Sequence, residues 1–419
     1  MTFNLENEHE SKRVSSLIFG KCAECGEERI SVGWCKDCEI NSFKVHFIYW
    51  TSGNLNIDNY IKRTQLNACG SVDYLEYIKF DQLVLIKYMN KGGAFSTIYS
   101  AIWIEGPRWI WDEAADEWTR NGPIKVALKR INNSQNMSEE YINQLCRYHH
   151  CLQNGNVADC FGITKDPTSN YMFVMRYYEN GDLHTYLDEV KGMLCWRDIV
   201  EILWSISGGI ECIHKNELIH GNLHGGNLLV ESEQDSIDVR VADVGLHGPA
   251  DKKNSNEING VLPYTDPEIL KGNPPTKSSD IYSFGIIMWT LSAGIRPWCN
   301  RPHDIQLATE ICFGLRPEII DGTPEVYIQI MTQCWNSDPS KRPVASQLYE
   351  LIGSWISAIC DDPQQTELSE QFDLAEEKKF SDLEKNKYRQ EIHSQAFYTS
   401  RPLYFPELIH NINTTNRKF

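Results

Sequence analysis

The sequence predicts an α+β protein with two lobes, preceded by a small cysteine-rich module. After residue 80, apolar and β-branched residues alternate at period two, which is typical of strands. After Asn180 and Gly181, the apolar residues recur every three or four positions, which is typical of amphipathic helices. A strand-rich half followed by a helix-rich half therefore predicts two segregated lobes.

The composition is that of an ordinary globular protein. The chain has 419 residues, 41% hydrophobic and 23% charged, and a formal net charge of −17, which excludes a collagen-like or wholly disordered chain. This acidic balance argues against nucleic acid and anionic membranes as partners. The start of the chain lacks an apolar leader, and the longest apolar run, residues 281–295, is too short to span a membrane. We therefore expect a soluble, cytoplasmic protein with reduced thiols.

Five segments follow from these patterns: an arm (1–20), a four-cysteine module (21–40), a linker (41–80), the two-lobed domain (81–355, with the lobes meeting at 180/181) and a charged tail (356–419). The linker reads either as a short helix pair or as an extended stretch. Strands are predicted at 83–88, 97–103, 125–129 and 171–177, and helices at 182–190, 196–216, 278–294, 303–313 and 324–335. The tail is expected to be mostly mobile or to lie along the surface.

The cysteine module contains two Cys-x-x-Cys pairs, Cys22 with Cys25 and Cys35 with Cys38. Each pair can turn two thiolates toward one ion, and four thiolates close a tetrahedral Zn²⁺ site. Such a site leaves no coordination position for a substrate, so the zinc would be structural. Four free thiols or two redox pairs are the alternatives, and the acidic residues around the pairs argue against nucleic-acid binding.

Five motifs follow in a fixed order. They are a glycine-containing turn with Gly92 and Gly93, a Val-Ala-Leu-Lys strand ending at Lys129, a His-Gly-Asn-Leu-His-Gly-Gly-Asn loop at 220–227, an Asp-Val-Gly triplet starting at Asp243, and an Asp-Pro-Glu box at 266–268. In this order they resemble the motifs of the eukaryotic protein kinase superfamily. More narrowly, the chain resembles the kinase-like proteins expanded in arbuscular mycorrhizal fungi. The resemblance covers about two thirds of the chain and implies a two-lobed kinase fold.

The resemblance implies that ATP and Mg²⁺ are the ligands. The backbone of Gly92 and Gly93 would approach the phosphates, Lys129 would contact the α- and β-phosphates, and Asn227 and Asp243 would hold Mg²⁺. The residues implied around the adenine are Ala127 and Leu229 on its faces, Met175 as gatekeeper, and backbone groups of Arg176 and Tyr178 at its edge. An ordinary hairpin turn for the glycines and plain core packing for the apolar residues remain the alternatives.

Several catalytic positions depart from the family pattern. Asn222 stands where kinases carry the aspartate that orients the substrate hydroxyl, and an amide oxygen is barely basic. Gln144 stands at the position of the helix glutamate that pairs with the strand lysine, and it supplies no charge. Glu140, one turn earlier, could substitute if the helix shifted. His224 replaces the lysine common in serine/threonine kinases, and Gly221 replaces an arginine that reads a phosphorylated activation loop.

The remaining matches are scaffold positions. Residues 246–262 would form the activation segment, Glu268 is expected to pair with Arg342, and Asp280 is expected to hold the backbone of the catalytic loop.

Three functions are compatible with this pattern. The first is a kinase-fold signalling protein that binds ATP, transfers phosphate poorly or not at all, and acts through protein partners. The second is a working protein kinase, directed at serine or threonine, that tolerates Asn222. In the third, the cysteine module and the tail bind a partner while the nucleotide pocket stays empty.

Overall fold

The structure, a computed structural model, describes residues 19–92, 96–115, 117–152, 156–191, 193–232, 236–244, 259–361, 366–384, 392–403, 405 and 407–408. It forms two compact units. Among the described residues, unit 1 comprises 19–152 and 159–177, and unit 2 comprises 156–158, 178–244 and 259–408. The division after residue 177 lies close to the predicted lobe boundary.

Unit 1 is built on a six-stranded sheet in the order β1-β7-β8-β6-β3-β2. Its helices are α1 (Lys36–His46), α2 (Leu55–Asn67) and α3 (Glu139–Leu152). Its strands are β1 (Glu76–Tyr77), β2 (Leu83–Gly92), β3 (Ser96–Trp103), β4 (Ile110–Asp112), β5 (Glu117–Thr119), β6 (Ile124–Ile131), β7 (Cys160–Lys165) and β8 (Tyr171–Arg176). The four strands predicted from alternation are confirmed, whereas β1, β7 and the β4–β5 hairpin were not predicted.

The alternation within β6 and β8 separates the core of unit 1 from its opposite face. Val126 and Leu128 on β6, and Met172 and Val174 on β8, are buried in one apolar cluster. Side chains on a strand alternate between the two faces of the sheet, so the intervening residues of both strands lie on the other face.

The segment 41–80 is not a simple linker, because it contains most of α1 and all of α2 and contributes β1 to the sheet. Asn54 caps α2, and Ile57 and Ile61 are fully buried. The Tyr60 hydroxyl donates to the Leu145 carbonyl of α3 (2.9 Å). The segment therefore stabilises the position of α3 within unit 1.

Unit 2 is mostly helical. Its helices are α4 (Leu183–Glu189), α5 (Trp196–Lys215), α6 (Pro267–Leu270), α7 (Lys277–Ala293), α8 (Ile305–Cys312), α9 (Glu325–Cys334), α10 (Ala345–Ile356) and α11 (Glu367–Glu384). Its strands are β9 (Leu228–Ser232), β10 (Ile237–Val241), β11 (Asn259–Gly260) and β12 (Arg401–Pro402). The predicted α+β class and the five predicted helices are confirmed.

The apolar run at 281–295 forms the central helix of unit 2. Almost every residue of α7 is buried, from Ser279 to Ala293. No helix in the described part of the chain is both long and apolar enough to cross a membrane.

The first half of the tail forms α11, which packs on unit 2. Phe372 is buried, with its ring centroid 5.8 Å from those of Trp196 and Trp355. The Trp196 backbone N–H donates to the Glu376 carboxylate (2.8 Å). Aromatic packing and a partly buried hydrogen bond hold this segment on unit 2, although charged residues dominate its composition.

Lys379 on α11 carries an ammonium group in an apolar setting. The side chain is only 5% exposed, and its nitrogen has no hydrogen-bond partner among the described residues and lies 5.4 Å from the centre of the Trp196 ring. Burial lowers the pKa of Lys379 to about 8, although Glu376, Cys195 and Asp198 oppose the shift. The charged form is therefore disfavoured in the folded protein.

Replacing this lysine by an apolar isostere should stabilise the protein. Lys379→Met is expected to raise the free energy of unfolding at pH 7 by about 1–3 kcal/mol, because it removes a poorly solvated charge. The folded lysine has the lower pKa, so the unfolded chain binds more protons between about pH 8 and pH 10, and wild-type stability rises with pH there. The gain from Lys379→Met should shrink over that range. Denaturant melts at several pH values measure it.

Lys378→Met is the matched control. Lys378 is more exposed and pairs with the exposed Asp321 (3.0 Å), so its removal should change stability by less than about 1 kcal/mol. Loss of stability in Lys379→Met would contradict the prediction.

Candidate functional site

The four predicted cysteine ligands come together in unit 1. The sulfurs of Cys22, Cys25, Cys35 and Cys38 all lie within 4.8 Å of one another. The sulfurs of Cys25 and Cys35 are 3.5 Å apart, and those of Cys22 and Cys38 are 3.8 Å apart. Tetrahedral Zn²⁺ with Zn–S bonds of about 2.3 Å requires sulfurs about 3.8 Å apart, so this donor set fits zinc.

Glycine turns and the N-terminus of α1 position the two cysteine pairs. Gly26 and Gly33 have φ angles of +74° and +62°, as expected for glycines in such turns. A Cβ atom at Gly33 would also collide with the Trp111 ring. Cys35 occupies the N-cap position of α1, and Cys38 lies in the first turn of that helix.

The β4–β5 hairpin holds the cysteine module against the rest of unit 1. The Trp118 indole N–H donates to the Gly33 carbonyl (3.0 Å), and Arg108 pairs with Glu39 of α1 (2.6 Å). The Trp34 side chain is buried in a cluster with Ala68, Tyr74 and their neighbours. This hairpin was not predicted, because its strands have only three residues each and are too short to show an alternating pattern.

Three predicted nucleotide-contacting residues lie on one face of the unit 1 sheet. Ala127 and Lys129 alternate with the core residues of β6, and Met175 of β8 is directly opposite Ala127. Lys129 is 7% exposed. The sheet therefore brings together one ammonium group and two apolar side chains on the face away from the apolar core.

The glycine turn is described only in part. Gly92 ends β2 opposite Thr97, and a Cβ atom there would approach the Ser96 carbonyl oxygen to 2.5 Å. The β2–β3 hairpin thus requires a glycine at this position. Gly93 lies outside the described residues.

Gln144 lies on α3, as predicted. Its side-chain oxygen is buried and accepts no hydrogen bond from any described group. It therefore accepts none from Lys129. The Glu140 side chain lies outside the described part of the chain.

The backbone at the end of β8 and just after it forms hydrogen bonds within the protein. The Arg176 N–H donates to the Asp159 carbonyl (3.1 Å), and the Arg176 guanidinium pairs with the Asp159 carboxylate (3.4 Å). Any contact of the Arg176 backbone with an adenine edge must therefore use its carbonyl. The Tyr178 carbonyl accepts from Gly181 N–H (3.0 Å).

Asp280 of α7 organises the catalytic loop in unit 2, as predicted. Its carboxylate accepts from the backbone N–H groups of His220 and Gly221, both at 2.8 Å, and contacts His214 Nε2 at 2.9 Å. Gly221 has φ +73°, a conformation that glycine adopts without strain. The His220 imidazole contacts the Ala242 carbonyl (2.9 Å), which ties the loop to the Asp243 segment.

The predicted Mg²⁺ ligands lie on connected segments of unit 2. Asn227 donates through its side-chain nitrogen to the Asn222 carbonyl (3.0 Å), and its own carbonyl accepts from Ala242 N–H (2.8 Å). Asp243 follows Ala242 with φ +66°. The Asn227 amide oxygen and the Asp243 carboxylate are hard donors of the kind that Mg²⁺ prefers. Leu229 is partly buried on β9, between the fully buried Leu228 and Val230.

Asn222 is held by the loop and by the tail. Its N–H donates to His220 Nδ1 (3.2 Å), and its side-chain nitrogen donates to the Ser400 hydroxyl (3.2 Å). Sequence reasoning missed Ser400, because the two residues are 178 positions apart and nothing in the tail composition marks the contact.

His224 cannot replace the positive charge of a lysine. The ring is buried, and its Nε2 has no hydrogen-bond partner among the described residues. Burial, reinforced by the neighbouring His220, lowers the pKa of His224 to about 4. The imidazole is therefore neutral at physiological pH.

The predicted pair of Glu268 with Arg342 is wrong. Arg342 pairs with Asp266 instead (2.7 and 3.2 Å), and both side chains are almost fully buried. Asp266 caps α6 and faces the interior, whereas Glu268 lies farther out and pairs with Lys271 (2.7 Å). The first residue of the Asp-Pro-Glu box thus makes the buried ion pair.

A family model described as protein tyrosine and serine/threonine kinase matches residues 85–352, well over half of the chain. The chain belongs to the protein kinase family. This confirms the resemblance seen in the motif order, and the kinase fold implies the use of ATP and Mg²⁺.

Curated relatives of this kinase domain are serine/threonine kinases by name. "Probable serine/threonine-protein kinase gdt4" of Dictyostelium discoideum is 28% identical over 281 residues, 66% of this chain and 16% of that protein. "Probable serine/threonine-protein kinase roco8" of the same organism is 30% identical over 211 residues, 48% of this chain and 11% of that protein. "Serine/threonine-protein kinase STY17" of Arabidopsis thaliana is 26% identical over 214 residues, 50% of this chain and 36% of that protein. The chain thus spans about a third or less of each relative's length.

Proposed function

We propose that this protein is a kinase-fold signalling protein that binds ATP with Mg²⁺ and transfers the γ-phosphate slowly or not at all. The observation that carries the proposal is the contrast at the catalytic loop. The loop is fully assembled around Asp280, yet the position of the catalytic base is held by Asn222, whose side chain donates a hydrogen bond to a hydroxyl instead of accepting one.

Retained ligand-binding residues support ATP binding. Lys129, Ala127 and Met175 lie on one face of the sheet in unit 1. Asn227 and Asp243, both in unit 2, carry oxygens of the kind that Mg²⁺ prefers. When bound, the metal would neutralise the charge of the phosphates.

Altered catalytic residues argue for slow transfer. Asn222 cannot remove a proton, the Gln144 side-chain oxygen accepts no bond from Lys129, and His224 is neutral. Kinase catalysis depends mainly on positioning and charge neutralisation, so each loss removes part of the stabilisation that the transition state requires.

Nucleotide-induced thermal shift tests the binding half of the proposal. With ATP and Mg²⁺ at about 100 times the dissociation constant, wild-type protein should gain about 2.7 kcal/mol of stability, seen as a higher melting temperature. Lys129→Ala should lose most of this shift. If wild type shows no shift with or without Mg²⁺, the proposal of ATP binding is wrong, and the hypothesis of an empty pocket with partner binding through the module and tail is favoured.

A working serine/threonine kinase is the second candidate function. The names of the relatives favour it, as does the retention of Lys129, Asn227 and Asp243. High wild-type turnover that disappears in Lys129→Ala would establish this candidate instead.

We also propose a structural role for Zn²⁺ in the cysteine module. The sulfur spacing supports a closed four-thiolate site, which would hold α1 and the Trp34 cluster in place without reacting. Protein partners are the proposed targets of the signal. We place the protein in the cytoplasm, because none of its 14 cysteines, all of which are among the described residues, forms a disulfide, which suits a reducing compartment.

A further inference from the structure

The C-terminal residues 392–403, here called the strap, form hydrogen bonds along the surface of unit 2. His393 N–H donates to the Cys299 carbonyl (2.8 Å), and the Gln395 carbonyl accepts from His303 N–H (2.9 Å). These bonds fix the first half of the strap against the loop between α7 and α8.

The second half of the strap adds a strand beside the end of the predicted activation segment. Arg401 and Pro402 form β12, which pairs antiparallel with Asn259 and Gly260 of β11. β11 lies within residues 246–262, the predicted activation segment, and shortly before Asp266. An extended peptide that pairs with a short exposed strand gains main-chain hydrogen bonds, and side-chain pockets supply the specificity.

Tyr398 fills an aromatic pocket between Gln395 and β12. It is 8% exposed, and its hydroxyl donates to the Pro297 carbonyl (2.8 Å). Its ring meets His184 and His303 edge-on at 5.7 and 5.0 Å, and the Arg296 guanidinium lies 5.2 Å from its centre. The Tyr398 side chain is therefore a buried anchor of the strap.

An apolar pocket receives the end of the strap. Leu403 is 4% exposed, and Leu408 beyond it is 1% exposed. They pack in one cluster with residues of the predicted activation segment and of the helices around it, namely Leu262, Leu270, Leu307, Ala308 and Ile311.

Ser400 lies between the buried residues Tyr398 and Leu403. Its hydroxyl oxygen accepts a hydrogen bond from the Asn222 side chain (3.2 Å). In the kinase pattern, the residue at position 222 orients the hydroxyl that receives phosphate. The strap thus presents a hydroxyl at the place of an acceptor. Because the Asn222 nitrogen donates, it holds the Ser400 oxygen without removing its proton.

We propose that the surface of unit 2 formed by Asn222, β11 and the pockets for Tyr398 and Leu403 is a peptide-binding surface occupied by the chain's own strap. This proposal rests on the proposed function, because it takes Asn222 as the residue at the position of the catalytic base. A protein substrate or partner that binds there must displace the strap. It must present the same chemistry: an extended segment with a tyrosine two residues before a serine and a leucine three residues after it.

Hydrogen–deuterium exchange on the full-length wild-type protein, without nucleotide, is the first test. Peptides covering 392–403 and 259–265 should exchange at least about tenfold more slowly than unstructured chain, because their N–H groups are bonded. Exchange of 392–403 at the unstructured rate would overturn the proposal.

Full-length variants with changes in the strap form the second test. Tyr398→Ala with Leu403→Asp removes the anchors and leaves the surface intact. A fluorescent synthetic peptide with the sequence of residues 392–408 should bind this double variant at least tenfold more tightly than wild type, as measured by anisotropy. Thr399→Ala, an exposed neighbour, should behave as wild type.

Equal binding of the peptide to wild type and to the double variant would overturn the proposal. If the double variant does not fold, Tyr398→Ala alone and the wild-type exchange data still decide the question. No nucleotide takes part in these measurements. If the strap is protected from exchange but ATP causes no thermal shift, the proposed function is refuted and the proposal about the strap stands. If ATP causes a thermal shift but the strap is not protected, the proposal about the strap is refuted and the proposed function stands.

Discussion

Asn222→Asp is expected to raise the rate of autophosphorylation by about 10²–10⁴-fold. General-base assistance is typically worth this factor, which corresponds to about 3–5 kcal/mol of activation barrier. The catalytic loop is already held by Asp280, and the proposed Mg²⁺ ligands Asn227 and Asp243 are retained, so the substitution would restore the missing carboxylate beside them. Its oxygens could accept the proton of a hydroxyl, which the Asn222 nitrogen cannot do. Phosphate incorporation from radiolabelled ATP into the purified protein measures the effect.

Two controls make this result specific. Asn121→Asp introduces the same chemical change at an exposed position and should leave the rate at the wild-type level. Adding Lys129→Ala to Asn222→Asp should return the rate to background. If Asn222→Asp has no more activity than wild type, then the missing base is not the principal defect. Gln144→Glu would then be the next substitution to test, because it restores the other lost charge.

Cys35→Ser is expected to abolish zinc binding and to disorder the cysteine module. Zinc binding in small structural sites contributes about 10–16 kcal/mol of folding free energy at neutral pH, and serine cannot supply the lost thiolate. The Cys22–Cys38 region should then exchange hydrogen freely, and fluorescence of the nearby Trp34 and Trp118 should change. Metal analysis by mass spectrometry, with hydrogen–deuterium exchange, measures both effects.

Cys69→Ser serves as the matched control, because Cys69 is exposed and lies outside the cluster. It should retain zinc at the wild-type level. Wild-type protein that is purified with zinc present and yet binds none would contradict the zinc proposal.

The strand-rich and helix-rich halves could be predicted from local patterns, whereas the residues proposed to contact the nucleotide came from the family resemblance. Alternation in β6 places Ala127 and Lys129 on one face of the sheet and Val126 and Leu128 on the other, because side chains of a strand alternate between the two faces. The role of Asp280 followed from the family pattern, since it bonds to backbone N–H groups whatever side chains the loop carries.

The sequence predicted less where contacts join distant or polar segments. α2 is rich in polar residues, some of which are buried because they form hydrogen bonds. Asp58 accepts from the Ser52 N–H (2.8 Å), and Gln65 donates to the Leu75 carbonyl (2.8 Å). The Asp-Pro-Glu box offers two acids, Asp266 and Glu268, as partners for Arg342, and only the fold decides which of them faces the interior. The strap is held by contacts with residues that are distant in the sequence. Such contacts leave no periodic pattern from which they could be predicted.

The most direct test of the central claim is a phosphate-transfer assay with radiolabelled ATP and purified wild-type protein, with Lys129→Ala as the background. We predict that wild-type incorporation lies at or near that background, even though ATP and Mg²⁺ raise the melting temperature of the wild type. Wild-type turnover in the range of ordinary kinases, about 1–100 s⁻¹, lost in Lys129→Ala, would contradict the claim.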